Sequence, residues 1–258
     1  MIDHRQRRSA LPEPDNRRIE AADGSEGTAV DTRLPPGVLQ FIRTNLPLGP
    51  VPSVPEIRLY KASPESGLWR MAETDKQGFG TPYWAYSWGG GLALARYILD
   101  HPRTVAGRRV LDLGAGSGIV AIAATKSGAR EVIAADTDPY ALAATGLNAQ
   151  ANAVTVSTLY GDLTGGPPPA VDIVLVGDLF YERELAERVT AFLDRCLAAH
   201  VEALIGDPWR EFLPSPRLRL LAEYPGLDFG NGTTAAPRSN AVFSFEPDGG
   251  DGQGSASA

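Results

Sequence analysis

The chain of 258 residues is 43% hydrophobic and 21% charged, too apolar for a disordered protein and too charged for a membrane one. Its formal net charge, 24 − 31 = −7, argues against binding of nucleic-acid phosphates or anionic lipid as the main activity, because that needs clustered Lys and Arg; it favours a basic or lysine-bearing partner. The single cysteine, Cys196, excludes an intramolecular disulfide and a four-thiolate metal site, fits a cytoplasmic protein, and reads as a small buried hydrophobe.

Residues 1–34 mix Arg5, Arg7, Arg8, Arg17 and Arg18 with Asp3, Glu13, Asp15, Glu20, Asp23 and Glu26. Transit peptides are poor in acids and secretory signals need an apolar segment, so a disordered tail is expected. Over 36–48, Val38, Leu39, Phe41, Ile42 and Leu46 recur at near-helical spacing until Pro47, which cannot donate within a helix. Glu56–Tyr60 alternates polar and apolar residues as an edge strand would. After Pro82 a helix is expected from about Tyr83 or Gly90 to Asp100, closing before Pro102.

Beyond Gly107 short apolar runs alternate with helix-length segments, the pattern of a parallel α/β sheet. The predicted strands are 109–113, 131–136, 155–160, 171–178, 201–207 and 240–246, and the predicted helices 117–127, 139–151 and 182–199. In the last helix Leu185, Val189, Phe192, Leu193 and Cys196 form one apolar stripe. No run approaches the roughly 18 apolar residues of a membrane span. Residues 247–258, rich in Gly, Ser and Asp, read as a second disordered tail, leaving one domain over 35–246.

The first of these strands runs into Asp112-Leu-Gly114-Ala115-Gly116-Ser-Gly118 and then directly into a helix. Glycines let a ligand approach the backbone, and the helix N-terminus adds N–H donors. The dinucleotide fingerprint would need glycine where Ile119 stands, a triphosphate loop would need Lys-Ser/Thr, and a nucleophile elbow would need glycine at Ala115. What remains resembles motif I of the seven-strand methyltransferases that use S-adenosylmethionine. Asp136, 18 residues after Gly118, ends the second strand, where a carboxylate can accept both ribose hydroxyls. Asp138 reads as the cap of the helix opened by Pro139, and Asp162 stands where it could accept from the adenine amino group.

The fourth strand leads into Gly177-Asp178-Leu-Phe180-Tyr181-Glu182. It lacks the paired prolines of adenine and glutamine-amide methyltransferases, and its Asp-x-x-Tyr looks like the motif of a group of protein lysine methyltransferases. Together with Pro55–Tyr60, Pro82–Trp88, Ala93–Tyr97, Asp136–Pro139, Leu147-Asn148 and Leu204–Pro208, it resembles the electron transfer flavoprotein β-subunit lysine methyltransferases. Trp209 departs from the pattern, standing where glycine is expected.

The resemblance implies a seven-strand Rossmann-like class I methyltransferase fold, S-adenosylmethionine as methyl donor, no metal, and a protein substrate: the flavoprotein β subunit, with ribosomal protein lysines as a second target. It implies Asp178 and Tyr181 as catalytic residues. Trp84, Phe180 and Glu182 would meet the substrate; Trp88, Asp112, Gly114, Ala115, Gly116, Gly118, Asp136, Asp162 and Gly177 would meet the cofactor. Asp178 is expected to bind and orient the lysine, though a carboxylate also raises an amine's pKa and so opposes its deprotonation. The aromatic side chains suit a methylated ammonium through cation–π attraction. The competing readings are methylation of another protein or a small amine, a nicotinamide-dependent oxidoreductase, and a S-adenosylmethionine-binding protein without turnover.

Overall fold

A computed structural model describes residues 34–76, 78–226 and 239–248. The two tails expected from the sequence lie outside these residues, apart from Leu34, Pro247 and Asp248. The chain enters through helix α1 (Val38–Asn45), a hairpin of β1 (Leu48–Val51) and β2 (Val54–Tyr60), and a short helix α2 (Trp69–Thr74). Helix α3 (Gly89–Asp100) leads into β3 (Arg109–Leu113), α4 (Ile119–Lys126), β4 (Glu131–Asp136), α5 (Pro139–Ala151), β5 (Ser157–Tyr160), β6 (Ile173–Gly177), α6 (Arg183–Ala198), β7 (Glu202–Asp207), β8 (Leu218–Tyr224) and β9 (Asn240–Phe245).

Seven strands form one sheet in the order β5-β4-β3-β6-β7-β9-β8. The first five run parallel to one another, while β9 runs antiparallel to both β7 and β8. From β3 the chain moves outward to β4 and β5, then returns to the other side of β3 as β6. Such a reversal opens a crevice at the carboxyl ends of the two central strands. The period of two along each strand divides the core: Val110, Ile173 and Leu175 face α3 and α4, whereas Leu111, Leu113, Val174 and Val176 face α6. The expected α6 stripe is confirmed, with Val189, Phe192, Leu193 and Cys196 fully buried. Each large aliphatic side chain so buried contributes about 1.5–3 kcal/mol relative to exposure.

Several expected boundaries move. The strand expected at Glu56–Tyr60 begins at Val54 and pairs with β1, which Gly49 and Pro50 concealed, so it borders a separate hairpin rather than the main sheet. The helix placed at Tyr83 or Gly90 is a single 3₁₀ turn at Tyr83–Ala85 followed by α3 from Gly89. The predicted strand at 171–178 stops at Gly177, leaving Asp178 in the loop. Strand β8 was missed; it is an edge strand of partly exposed residues.

Candidate functional site

The crevice between β3 and β6 is lined by Tyr86, Trp88, Gly91, Asp112, Gly114, Ala115, Gly116, Gly177 and Asp178, among others. The glycine loop crosses it. Gly114 and Ala115 donate their N–H groups to the Ala135 carbonyl at 2.9 and 3.0 Å, continuing the β3–β4 ladder into the turn. Gly116 and Gly118 then take φ of 53° and 77°, a left-handed backbone that glycine enters without a Cβ penalty. A Cβ at Gly118 would fall 2.8 Å from Thr145 Cγ2, whereas one at Gly116 meets nothing nearer than the Trp84 Cα at 3.9 Å. The loop therefore packs tightly where it joins α5 and stays open at Gly116.

Two carboxylates hold this loop. Asp136 Oδ2 accepts the Gly116 N–H at 2.8 Å while Oδ1 accepts the Asp138 N–H at 2.9 Å, so the end of β4 ties the glycine loop to the turn that opens α5. Burial pushes the Asp136 carboxyl up, against those N–H donors. Asp112, expected at the cofactor, is 1% exposed and accepts the Ala121 N–H in the first turn of α4 at 2.9 Å. Burial raises its pKa to about 7. Asp138 caps α5 as expected, accepting from the Tyr140 N–H at 2.8 Å. Asn148, fully buried, ties the loop to the hairpin: it donates to the Ser117 carbonyl and accepts the Tyr60 N–H, both at 2.8 Å.

The other wall is built by close helix–strand approach. A Cβ on Gly90 would fall 2.2 Å from the Gly206 carbonyl oxygen, and one on Gly177 would fall 3.1 Å from the Gly91 Cα. Glycine on both sides thus lets the start of α3 lie against the ends of β6 and β7. Asp178, 8% exposed with φ of 60°, turns its carboxylate into this junction. Its Oδ2 accepts the Gly91 N–H at 2.7 Å, and its Oδ1 pairs with Arg210 Nη2 at 2.8 Å. The carboxylate expected to bind the lysine therefore has a resident cation.

Arg210, missed in the sequence, is delivered by the loop after β7. Its N–H donates to Asp207 Oδ1 at 2.6 Å, and its guanidinium lies 5.9 Å from the Trp88 ring. Trp209 before it takes φ of 64°, the conformation that explains why glycine is expected there. Such a conformation costs about 1–3 kcal/mol in a residue with a side chain. An edge contact with Phe243, 4.9 Å between ring centroids, offsets part of it.

Aromatic residues frame the mouth, though not all those expected. Tyr83 and Tyr181 are about half exposed with rings 6.0 Å apart, and Tyr83 stacks edge-on against Trp88 at 5.7 Å. Trp88 donates its indole N–H to the Tyr83 carbonyl at 2.9 Å, which fixes its ring beneath Arg210. Trp84 and Phe180, expected at the substrate, are corrected: both are buried, Trp84 against α1 and α5 and Phe180 beneath α6. Glu182 is exposed at the start of α6 beside Tyr181. Asp162 caps a 3₁₀ turn, its Oδ1 accepting from the Thr164 N–H at 2.8 Å and hydroxyl at 2.6 Å, with Arg188 at 3.9 Å from Oδ2.

Among the described residues no group of His, Cys, Asp and Glu is arranged to hold a metal, and no helix is long and apolar enough to cross a membrane. Residues 94–179, from α3 past β6, match the family model of ribosomal protein L11 methyltransferase (PrmA). The electron transfer flavoprotein β subunit lysine methyltransferase of Xenopus laevis is 40% identical over 202 residues, spanning 76% of this chain and 82% of the relative. The human enzyme of the same name is 34% identical over 221 residues, 83% of this chain and 84% of its own. A solved ribosomal protein L11 methylase from Lactobacillus delbrueckii subsp. bulgaricus overlaps 60% of this chain and 77% of its own, with a TM-score of 0.43 at 21% identity. The Xenopus laevis and human relatives, at 40% and 34% identity over most of both chains, show that the chain belongs to the electron transfer flavoprotein β-subunit lysine methyltransferase family.

Proposed function

We propose that this methyltransferase uses S-adenosylmethionine to methylate lysine side chains of the electron transfer flavoprotein β subunit, through one catalytic domain over residues 35–246. The observation that carries the reading is that a single crevice is lined both by Gly114, Ala115 and Gly116 and by Asp178. The open backbone at Gly116, the carboxylate of Asp136 at the rim and the ring of Trp88 fit the cofactor's polar and apolar parts. Asp162 is assigned to its adenine end. When bound, S-adenosylmethionine supplies an electrophilic methyl group on a cationic sulfonium.

The protein must present a neutral amine to that group. A lysine with pKa near 10.4 costs about 4.6 kcal/mol to neutralise at pH 7. An ionised carboxylate has about four lone-pair sites, so beyond the Gly91 and Arg210 donors Asp178 retains capacity to accept an amine N–H and aim the nitrogen. Tyr83 and Tyr181 flank the lysine's approach and present ring faces to a partly methylated ammonium, at about 0.5–2 kcal/mol each. Glu182, exposed beside them, attracts the basic surface of the partner. Holding the amine on a fixed line supplies much of the rate.

Lysines of a ribosomal protein form a second substrate class, favoured by the match of residues 94–179 to the L11 methyltransferase family. Calorimetric titration with S-adenosylmethionine and with NAD tests the cofactor: binding of the first alone is expected, and binding of NAD alone would overturn the reading. Transfer of labelled methyl groups into cell-extract protein tests turnover; binding without transfer would leave only a cofactor-binding protein.

A further inference from the structure

We propose that Arg210 is a positioning residue for methyl transfer: held against Asp178, it cancels that carboxylate's charge at the place where the substrate amine arrives. The inference rests on the lysine reading above and resolves a conflict within it. An uncompensated carboxylate would bind lysine as the ammonium, which has no lone pair for attack, and would raise its pKa. A carboxylate already paired with a guanidinium keeps its acceptor oxygens and their direction but loses the field that stabilises the proton.

The structure builds this pair rather than merely allowing it. Its side chains are only 16% and 9% exposed for Arg210 and Asp178, so their 2.8 Å contact is poorly screened. Four features aim Arg210: the left-handed turn at Trp209, the Arg210 N–H donated to Asp207, the Trp88 ring beneath the guanidinium, and the Asp178 carboxylate itself. The field of Arg210 also reaches the Tyr181 hydroxyl, where it opposes the upward push of burial. Arginine suits the task because it stays protonated at every working pH.

Other titratable groups lie nearby: Asp207 accepts from the Arg210 backbone, Tyr86 and Asp112 line the crevice with Asp178, and Tyr83, Glu182 and Asp136 act with Arg210 on Tyr181. Helix α3 contributes uncharged Gly90 and Gly91 at this contact. These groups are common to wild type and variants, so a difference between their pH profiles reports Arg210.

The test measures kcat and KM for the flavoprotein β subunit from pH 6.5 to 10 in wild type, Arg210→Met and Arg210→Lys, with calorimetric affinity for S-adenosylmethionine alongside. For Arg210→Met the account predicts kcat about tenfold lower at pH 7.5, the gap narrowing toward pH 10 as the amine loses its proton. This corresponds to an ascending limb moved up by about one unit. KM should not rise, because the carboxylate without its guanidinium holds the ammonium more tightly, and cofactor affinity should be unchanged within twofold. Arg210→Lys, which keeps the charge, should hold the wild-type limb. An equal loss at every pH, a raised KM or no effect would overturn the inference. Should Arg210→Met fail to fold, a limb displaced in Arg210→Lys would do the same. A wild-type protein that methylates no lysine would overturn the functional reading and this inference together; wild-type turnover with parallel variant profiles would overturn this inference alone.

Discussion

The Asp178 carboxylate accepts the Gly91 N–H at 2.7 Å, so the residue that follows β6 also ties down the first turn of α3. The same side chain pairs with Arg210, making it both a structural tie and the acceptor proposed for the amine. Asp178→Ala removes the anion that both partners share and leaves the largely buried Arg210 without this carboxylate, a loss of about 3 kcal/mol. Asp178→Asn costs less, because asparagine tolerates the left-handed backbone and its oxygen can still accept from Gly91. Thermal unfolding should rank wild type above Asn above Ala. Methylation should collapse in Asp178→Asn while calorimetric affinity for S-adenosylmethionine survives; near-normal turnover would remove Asp178 from the reaction.

Asp136 bridges the backbone N–H groups of Gly116 and Asp138. Asp136→Ala leaves both donors without that acceptor and removes the carboxylate assigned to the ribose. Affinity for S-adenosylmethionine should fall by at least tenfold, equivalent to about 1.4 kcal/mol, read by calorimetry. Unchanged affinity would place the cofactor elsewhere.

Asp112 makes the free protein's stability depend on pH. Burial raises its pKa to about 7 in the folded state, above the roughly 3.9 of an unfolded chain. Its contribution is therefore complete below about pH 4 and is lost as pH rises through about 7, when the folded protein must hold a buried charge. Asp138, raised to about 6, acts in the same sense. Asp112→Asn keeps an acceptor for Ala121 without the charge, so its stability should fall less from pH 5 to pH 8, by a few kcal/mol at most. Urea unfolding at the two pH values reads the difference; equal slopes would show that Asp112 is ionised at no such cost.

Cys196 lies fully buried under α6, and burial pushes its thiol up to about 11. It should be inert to thiol reagents at pH 8 in the native protein and react at once in denaturant. Rapid native labelling would mean that α6 opens locally.

The parallel sheet, its central helices and the pairing of the glycine loop with Asp136 were legible because each is written in contiguous residues: apolar runs of strand length, glycines at fixed offsets, an acid at a strand end. Arg210 was not legible, since only the pairing of β6 with β7 brings the loop after one strand against the end of the other. The aromatic run Tyr83-Trp84-Ala-Tyr86-Ser-Trp88 announced a cluster but not its two faces. A 3₁₀ turn at Tyr83–Ala85 sends Trp84 into the core and leaves Tyr83 and Trp88 at the mouth. Phe180 and Tyr181 divide in the same way at the start of α6. Strands β1 and β8 escaped because Gly49 and Pro50 interrupt the first and the second is a partly exposed edge, where alternation of apolar and polar residues is weakest.

The central claim is that lysine nitrogen on the flavoprotein β subunit receives the methyl group. Purified protein incubated with labelled S-adenosylmethionine and recombinant β subunit tests it most directly, beside a β subunit in which every lysine is changed to arginine. The account predicts label in the first that disappears in the second. Labelling that persists without lysines, or none in either, would contradict it.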